Sequence, residues 1–161
     1  MRSRNGARVT PSFQGTFTMA SIVNSAPAHR TASADPAFVP LIGRILIAAI
    51  FVLSGFSKLT APAGTIAYIN AAGLPAPTLA YAVALTVELG GGLLLIAGYR
   101  TRIVAAVLTV FAFTTAIGFH RDLADQNQFI HFFKNVAMAG GLLQVVAFGG
   151  GRLSLDHRIA G

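Results

Sequence analysis

An acidic residue, Glu88, stands in the middle of an apolar run from Thr78 to Ala97 that is long enough to cross a bilayer as a helix. A charge at that depth costs about 2.5–3.5 kcal/mol on insertion scales, and more when it lacks a partner. A carboxylate that is kept there is therefore paired with a cation, protonated, or part of a site. The chemistry open to this chain depends on what faces Glu88.

Two cations lie at suitable depths to meet Glu88, Arg44 in the first apolar segment and Lys134 in the fourth. At 1.5 Å per residue, Arg44 is placed about 7 Å to one side of Glu88 and Lys134 about 7 Å to the other. Either long side chain could reach the carboxylate, so the sequence predicts a pair with one of the two and leaves the choice open. Asn135 adds an amide beside Lys134.

Lys58 is a further candidate, because it lies two heptads after Arg44 and projects from nearly the same helix face. Ala48, Phe51 and Gly55 lie along that stripe. Lys58 stands at the end of its segment, so its side chain either reaches out to the lipid head groups or joins the buried polar site.

His120 ends the third apolar segment, and His131 opens the fourth. An imidazole can change its charge near neutral pH, so His120 is either an ordinary interfacial residue or a proton-handling group. Two histidines without carboxylates at ligand spacing, in a chain without cysteine, do not indicate a metal site. The predicted polar site comprises Arg44, Lys58, Glu88, His120, Lys134 and Asn135.

Four apolar segments carry these residues, and each approaches the ~17–25 residues that a membrane span needs. They cover residues 38–57, 78–97, 103–119 and 129–148. Because lipid cannot satisfy open backbone groups, the sequence predicts an all-α integral membrane protein with a four-transmembrane-helix bundle. A short interfacial helix over residues 65–72, between two Pro- and Gly-containing breaks, is predicted between the first and second spans.

Small and polar residues predict which helix faces pack together. In the second span they are Ala84, Glu88, Gly91 and Gly92. In the fourth span they are Lys134, Ala137, Gly141 and Gln144, with Leu142 and Leu143 expected to point elsewhere.

The composition agrees with a membrane protein, since 54% of the 161 residues are hydrophobic and only 11% are charged. Soluble domains have about 25% charged residues. The net charge of +7 comes from basic residues beside the apolar segments, which favours topology and anionic lipid over nucleic acid as the explanation. The bilayer is thus the expected surroundings, and the basic residues predict both termini in the cytoplasm.

Residues 1–36 are polar and basic, and we expect a disordered tail, followed by the membrane domain over residues 37–161. Two alternatives remain, an Arg-rich transit peptide and a translation start at Met19.

The order and spacing of several short motifs resemble the DoxX family of membrane proteins. They are Ser54-Gly-Phe-Ser-Lys58, Glu88-Leu-Gly-Gly-Gly92, Phe133-Lys-Asn135 and Gly151-Arg-Leu-Ser-Leu-Asp156. The resemblance runs from about Val39 to Asp156 and implies a four-helix fold in the bacterial inner membrane. Some members are subunits of a thiosulfate:quinone oxidoreductase, and others are linked to thiol and oxidative-stress systems.

From the residues and the resemblance together we expect a redox-associated membrane subunit that meets a quinone or a partner oxidoreductase and does not catalyse alone. Glu88 would relay a proton, Arg44 or Lys134 would adjust its proton affinity, and Asn135 and His120 would be supporting donors. The alternatives are a transport or binding module for a small anion or lipid, and a purely structural protein whose buried ions fix the helix register. No catalytic or cofactor-binding residue is assigned, because no nucleophile elbow, phosphate loop or dinucleotide fingerprint is present.

Overall fold

The computed structural model describes residues 36–161, so the predicted tail lies outside the described residues except for Pro36. The described part of the chain contains helices and no strand. The helices are α1 (Phe38–Thr60), α2 (Pro62–Ala71), α3 (Pro77–Ala97), α4 (Thr101–Phe119), α5 (Gln126–Phe148) and α6 (Leu155–Ala160). Four of them, α1, α3, α4 and α5, are long and apolar enough to cross a membrane, which confirms the predicted all-α, four-span fold.

Two helices differ from the prediction: α5 begins earlier, and α6 was not predicted. α5 starts at Gln126 because the Asp125 side chain accepts a hydrogen bond from the backbone N–H of Gln128 at 2.8 Å and so caps the helix. α6 was missed, although Ser154 caps it in the same way through the N–H of His157. Short polar caps lie outside the apolar runs on which the prediction depended.

The predicted short helix between the first two spans is present as α2, with Pro62 in its first turn. Tyr68 of this helix stacks on Phe119 at the end of α4, with ring centroids 5.5 Å apart. Ile69 is its buried residue. These contacts hold α2 across one end of the bundle.

Two ends of the bundle differ in their charged residues. The start of α1, the α3–α4 link and the segment after α5 meet at what we call the arginine end, which carries Arg44, Arg100, Arg102 and Arg152. The opposite end, where α2 lies and where α4 leads into α5, carries His120 and His131 and is called the histidine end. α1 and α4 run toward the histidine end, and α3 and α5 run back.

Close helix approach in the interior depends on small residues. α1 buries Ala48, Phe51 and Gly55 along the predicted stripe. A Cβ at Gly55 would lie 2.7 Å from Leu89 Cγ and 3.1 Å from the Leu89 backbone nitrogen, so Leu89 of α3 occupies the space that a side chain would need. The expectation that glycines serve helix packing is confirmed here.

The outer surface is strongly apolar, as expected for a lipid-facing protein. Leu53 and Val110, for example, are 69% and 66% exposed. A soluble protein rarely leaves such a surface open to water. The pattern agrees with helices that bury their small residues and turn their large apolar residues to lipid.

Candidate functional site

Glu88 forms an ion pair with Lys58, which joins α3 to α1 in the half of the bundle toward the histidine end. Lys58 Nζ lies 2.8 Å from Glu88 Oε2 and 3.1 Å from Oε1, and its hydrogen bond goes to Oε1. The same ammonium group donates to Ser54 Oγ at 2.8 Å. Glu88 is 5% exposed, whereas 24% of the Lys58 side chain is exposed. The acid is therefore buried, and its partner keeps some access to the surroundings.

Both carboxylate oxygens of Glu88 depend on one ammonium group. Within residues 36–161, Lys58 Nζ donates to Oε1 at 3.1 Å and lies 2.8 Å from the buried Oε2 as an ion pair, without the angles of a second hydrogen bond. A carboxylate offers about four acceptor positions. Glu88 therefore has acceptor capacity left for a proton or for the donor of another molecule.

Glu88 stands in a π-helical turn, Thr86–Gly91, inside α3. Such turns are rare and often occur at functional sites. The sequence gives no indication of this turn, because a helix that is apolar on all sides has no polar–apolar repeat from which the number of residues per turn could be read. Next to the turn, a Cβ at Gly92 would lie 2.8 Å from Val52 Cγ2. The close packing of α3 on α1 brings the carboxylate within reach of Lys58.

The prediction that Arg44 or Lys134 pairs with Glu88 was wrong. Every Cα–Cβ bond of a helix tilts toward the helix N terminus, so helical side chains lean that way. In α1 this tilt carries Lys58 toward the middle of the bundle and Arg44 away from it. Glu88, on the antiparallel α3, leans toward the histidine end and so toward Lys58. Lys134, on α5, also leans toward the histidine end and away from the middle.

Arg44 is fully buried at the arginine end, where its guanidinium group binds backbone carbonyls. Nη1 donates to the carbonyl oxygens of Leu95 and Ile96 at 3.0 and 3.1 Å, and Nη2 donates to that of Leu153 at 2.6 Å. Leu95 and Ile96 lie in the last turn of α3, whose dipole favours a positive charge. Arg44 therefore ties α1 to the end of α3 and to the segment that follows α5.

Lys134, His131 and His120 form a separate cluster at the histidine end. The rings of His120 and His131 stack at 5.1 Å, and Lys134 Nζ lies 3.0 Å from His131 Nδ1. An ammonium group can only donate, so His131 Nδ1 accepts. Burial, helped by the charges of His131 and Lys134, lowers the pKa of His120 below its usual value. The cluster favours a neutral imidazole at position 120.

The face of α5 that turns inward also differs from the predicted one. Its buried residues are Asn135, Ala139 and Leu142. Of the predicted stripe, Lys134, Ala137 and Gln144 are exposed and Gly141 is partly buried. Asn135 is thus buried as expected, but the stripe was placed about one residue too early. The six predicted residues divide between the Lys58–Glu88 pair, the histidine-end cluster, Arg44 at the other end, and Asn135 on α5.

Asp156 is a structural site residue that the sequence analysis did not identify. Its carboxylate accepts hydrogen bonds from the backbone N–H of Arg100 at 2.6 Å, and from the backbone N–H and the hydroxyl of Thr101 at 2.7 Å each. Its own N–H donates to the carbonyl of Gly98 at 2.9 Å. Asp156 caps the start of α4, where the helix dipole favours a negative charge.

The pKa of Asp156 reflects these donors. Burial by itself would raise it, but the hydrogen bonds from Thr101 and Arg100 and the charge of Arg44 outweigh burial, so the pKa lies below its usual value. A signal was present in the sequence, since Asp156 is the only acid in a basic C-terminal segment and α4 starts without a capping residue of its own.

Comparisons with known proteins agree with the resemblance. The model of the DoxX family matches residues 39–121, from α1 to just beyond α4. Inner membrane protein YqjF of Escherichia coli (strain K12) is 36% identical over 117 residues, which cover 73% of this chain and 88% of that protein. Inner membrane protein YphA of the same organism is 36% identical over 124 residues, with the same shares covered. No solved structure matches the chain.

The family match covers half of the chain, and both relatives are aligned over most of their length. The four helices that are long and apolar enough to cross a membrane agree with the inner-membrane location in the names of both relatives. The chain therefore belongs to the DoxX family and is a small multi-pass inner-membrane protein.

Proposed function

We propose that this protein is a redox-associated membrane subunit in which Glu88 takes up and releases a proton on behalf of a quinone or a partner oxidoreductase. The observation that carries the proposal is the buried carboxylate of Glu88, for whose two oxygens Lys58 is the one donor group within residues 36–161. Because a carboxylate offers about four acceptor positions, a proton can bind it beside that ammonium group.

Lys58 suits a proton-handling role because it keeps a hydrogen-bond partner and some exposure when Glu88 is neutral. Its ammonium group also binds Ser54 Oγ, and part of its side chain is exposed. Leaving a fully buried cation without its counter-ion would be costly, and this partial exposure reduces that cost. Both protonation states of Glu88 are therefore compatible with the same fold, which a proton carrier requires.

The proposed partner lies outside this chain. Cavities of about 650 and 390 Å³ are lined by other residues, and neither touches Glu88 or Lys58. Reduction of a quinone takes up two protons with two electrons, so a membrane subunit that supplies protons suits a partner that carries the electrons.

The main alternative is structural, with the ion pair fixing the register of α1 against α3. The close packing at Gly55 and Gly92 beside the pair favours this alternative. It predicts that loss of the Glu88 charge lowers stability but leaves the cellular function intact. The two functions therefore differ in what the same substitution does to activity.

The test is Glu88→Gln, which keeps the shape of the side chain and removes the titratable proton. In a deletion strain complemented with the variant, we expect quinone-linked respiration to fall at least about 100-fold while membrane levels of the protein persist, because a positioned proton-transfer group contributes about 10²–10⁴-fold. Asp156→Asn is the matched control, an acid-to-amide change at the arginine end, and should keep respiration. Wild-type respiration with Glu88→Gln would identify the pair as structural.

We also propose that the arginine end faces the cytoplasm. Arg100, Arg102, Arg152 and Arg158 lie there, beside the spans, and the positive-inside rule counts such residues. Reporter fusions after Gly161 and within the 120–125 link should report opposite sides of the membrane, with the Gly161 fusion cytoplasmic. The reverse pattern would overturn the orientation.

A further inference from the structure

A cavity of about 650 Å³ opens at the arginine end, far from the Lys58–Glu88 pair. It lies between the α3–α4 link, the glycine segment 149–151 and α6, and its lining includes Arg100, Arg102, Arg152 and His157. The guanidinium group of Arg102 lies beside the backbone of Gly149, since a Cβ at this glycine would be in ordinary contact with Arg102 Nε at 3.4 Å. The cavity therefore has a wall of cationic side chains.

The positive charge of this cavity exceeds its negative charge, since three arginines and one carboxylate line it. Asp156 is the only acid in the lining, and its carboxylate is already engaged by the N–H groups of Arg100 and Thr101 and by the Thr101 hydroxyl. In the range 36–161 the one ion pair is Lys58–Glu88 at the other half of the bundle. Three guanidinium groups are thus available to an anion, and guanidinium groups bind phosphate oxygens in a bidentate manner.

The apolar part of the lining indicates where that anion comes from. Ile103, in the first turn of α4, is 59% exposed, and Phe148, the last residue of α5, is 78% exposed. Both stand at the ends of membrane-crossing helices, where hydrocarbon gives way to head groups. A ligand with a phosphate and an acyl chain would contact both the arginines and the apolar residues of the lining, whereas free phosphate would contact only the arginines.

We propose that this cavity binds the phosphate of an anionic phospholipid, with Arg100, Arg102 and Arg152 around the head group and Ile103 and Phe148 along the acyl chains. The site is separate from the Lys58–Glu88 pair and does not depend on the function proposed for it. Occupation would link the α3–α4 turn to the segment after α5.

The test uses the full chain in detergent and measures its thermal unfolding and its lipid adducts by native mass spectrometry. Phosphatidylglycerol should bind at least 10-fold more tightly than phosphatidylcholine and should raise the unfolding temperature. Arg102→Gln with Arg152→Gln should remove at least 10-fold of the phosphatidylglycerol affinity. Arg158→Gln, at the same end of the bundle but outside the cavity lining, is the matched control and should bind as the wild type does.

Inorganic phosphate separates the two sources of the anion. Millimolar phosphate should neither displace phosphatidylglycerol nor reproduce its stabilisation. Equal stabilisation by phosphate, equal binding of phosphatidylcholine, or an unchanged affinity in the folded double variant would each overturn the proposal. The wild-type comparison of the two lipids requires no variant, so the proposal can be refuted even if the double variant does not fold.

Discussion

The two halves of the bundle each hold a carboxylate near a cation, but they satisfy it differently. At the arginine end, Asp156 accepts three hydrogen bonds at the start of α4, and Arg44 donates three to backbone carbonyls. Toward the histidine end, both oxygens of Glu88 meet the single ammonium group of Lys58 and have acceptor positions to spare. A saturated acid supports the fold, whereas an acid with a spare acceptor can take part in chemistry.

The difference follows from what each acid faces. The Asp156 carboxylate and the Arg44 guanidinium group face helix ends, where unpaired backbone N–H and C=O groups are available to complete their hydrogen bonding. Glu88 lies inside a helix, where those groups are already used. The position of a charge along a membrane helix therefore decides whether the backbone can satisfy it.

The largest effect is expected from Gly98→Ala at the arginine end. Gly98 has φ +72°, and a Cβ there would collide with Arg44 Nη1 and lie 2.9 Å from Ser154 Cα. Backbone strain and overpacking should each contribute about 2 kcal/mol, so we expect the free energy of unfolding to fall by about 4 kcal/mol. Denaturation in mixed micelles measures it. Gly140→Ala, with no atom within 4 Å of the added Cβ, is the control and should be neutral or stabilising.

Lys58→Met should have the next largest effect, because it leaves the buried carboxylate of Glu88 without a counter-charge. We expect a loss of about 3 kcal/mol in the free energy of unfolding. Much of this loss should return when Glu88→Gln is added, since the unpaired charge is then gone. Lys134→Met should cost about 0.5 kcal/mol and should combine additively with Glu88→Gln. If the losses in the free energy of unfolding for Lys58→Met and Glu88→Gln simply added in the double variant, the pair would not form.

Asp156→Asn should cost about 2 kcal/mol, because the amide offers one accepting oxygen and turns donors toward the N–H groups of Arg100 and Thr101. The pH dependence has a defined sign. The pKa of Asp156 is lowered in the folded protein, so its stabilisation is complete above the unfolded pKa and is lost as the pH falls through the folded one. The protection of the backbone amides of residues 155–160 against hydrogen exchange, relative to their intrinsic rates, should fall over that acidic range in the wild type only. Protection that does not change with pH in the wild type would contradict this account of Asp156.

The smallest effect is expected from His120→Gln at the histidine end. The pKa of His120 is lowered in the folded protein, so the unfolded chain binds the proton first and stability falls as the pH drops below about 6.5. Because His120 is partly exposed, the loss should stay under about 1 kcal/mol. Between pH 7.5 and 5.5, the free energy of unfolding should change less with pH in His120→Gln than in the wild type. An equal change in both proteins would mean that His120 does not contribute to the pH dependence.

The sequence was sufficient for the spans and for the packing face of α1. Long apolar segments have one stable form in lipid, and the spacing of Arg44, Ala48, Phe51 and Gly55 predicted the residues that α1 buries. The position of Glu88 in the middle of an apolar span likewise predicted that this acid is buried. The fourth span was harder, because its pattern is weaker and a shift of about one residue exchanged Lys134 for Asn135 on the inner face.

The apolar runs and the charges along the chain were enough to predict that Glu88 is buried and that more basic residues flank the spans on the side of Arg100 and Arg102 than on the other. Which charges meet depends on how the helices pack. Lys58 pairs with Glu88 because antiparallel helices lean their side chains toward each other, an effect that depth counted along the chain does not include. Asp156 reaches Thr101 across 55 residues because the turn at Gly98 and the glycines at 149 and 151, all with positive φ, return the chain to the start of α4. Contacts made by two distant turns have no local pattern in the sequence, so only the folded chain reveals them.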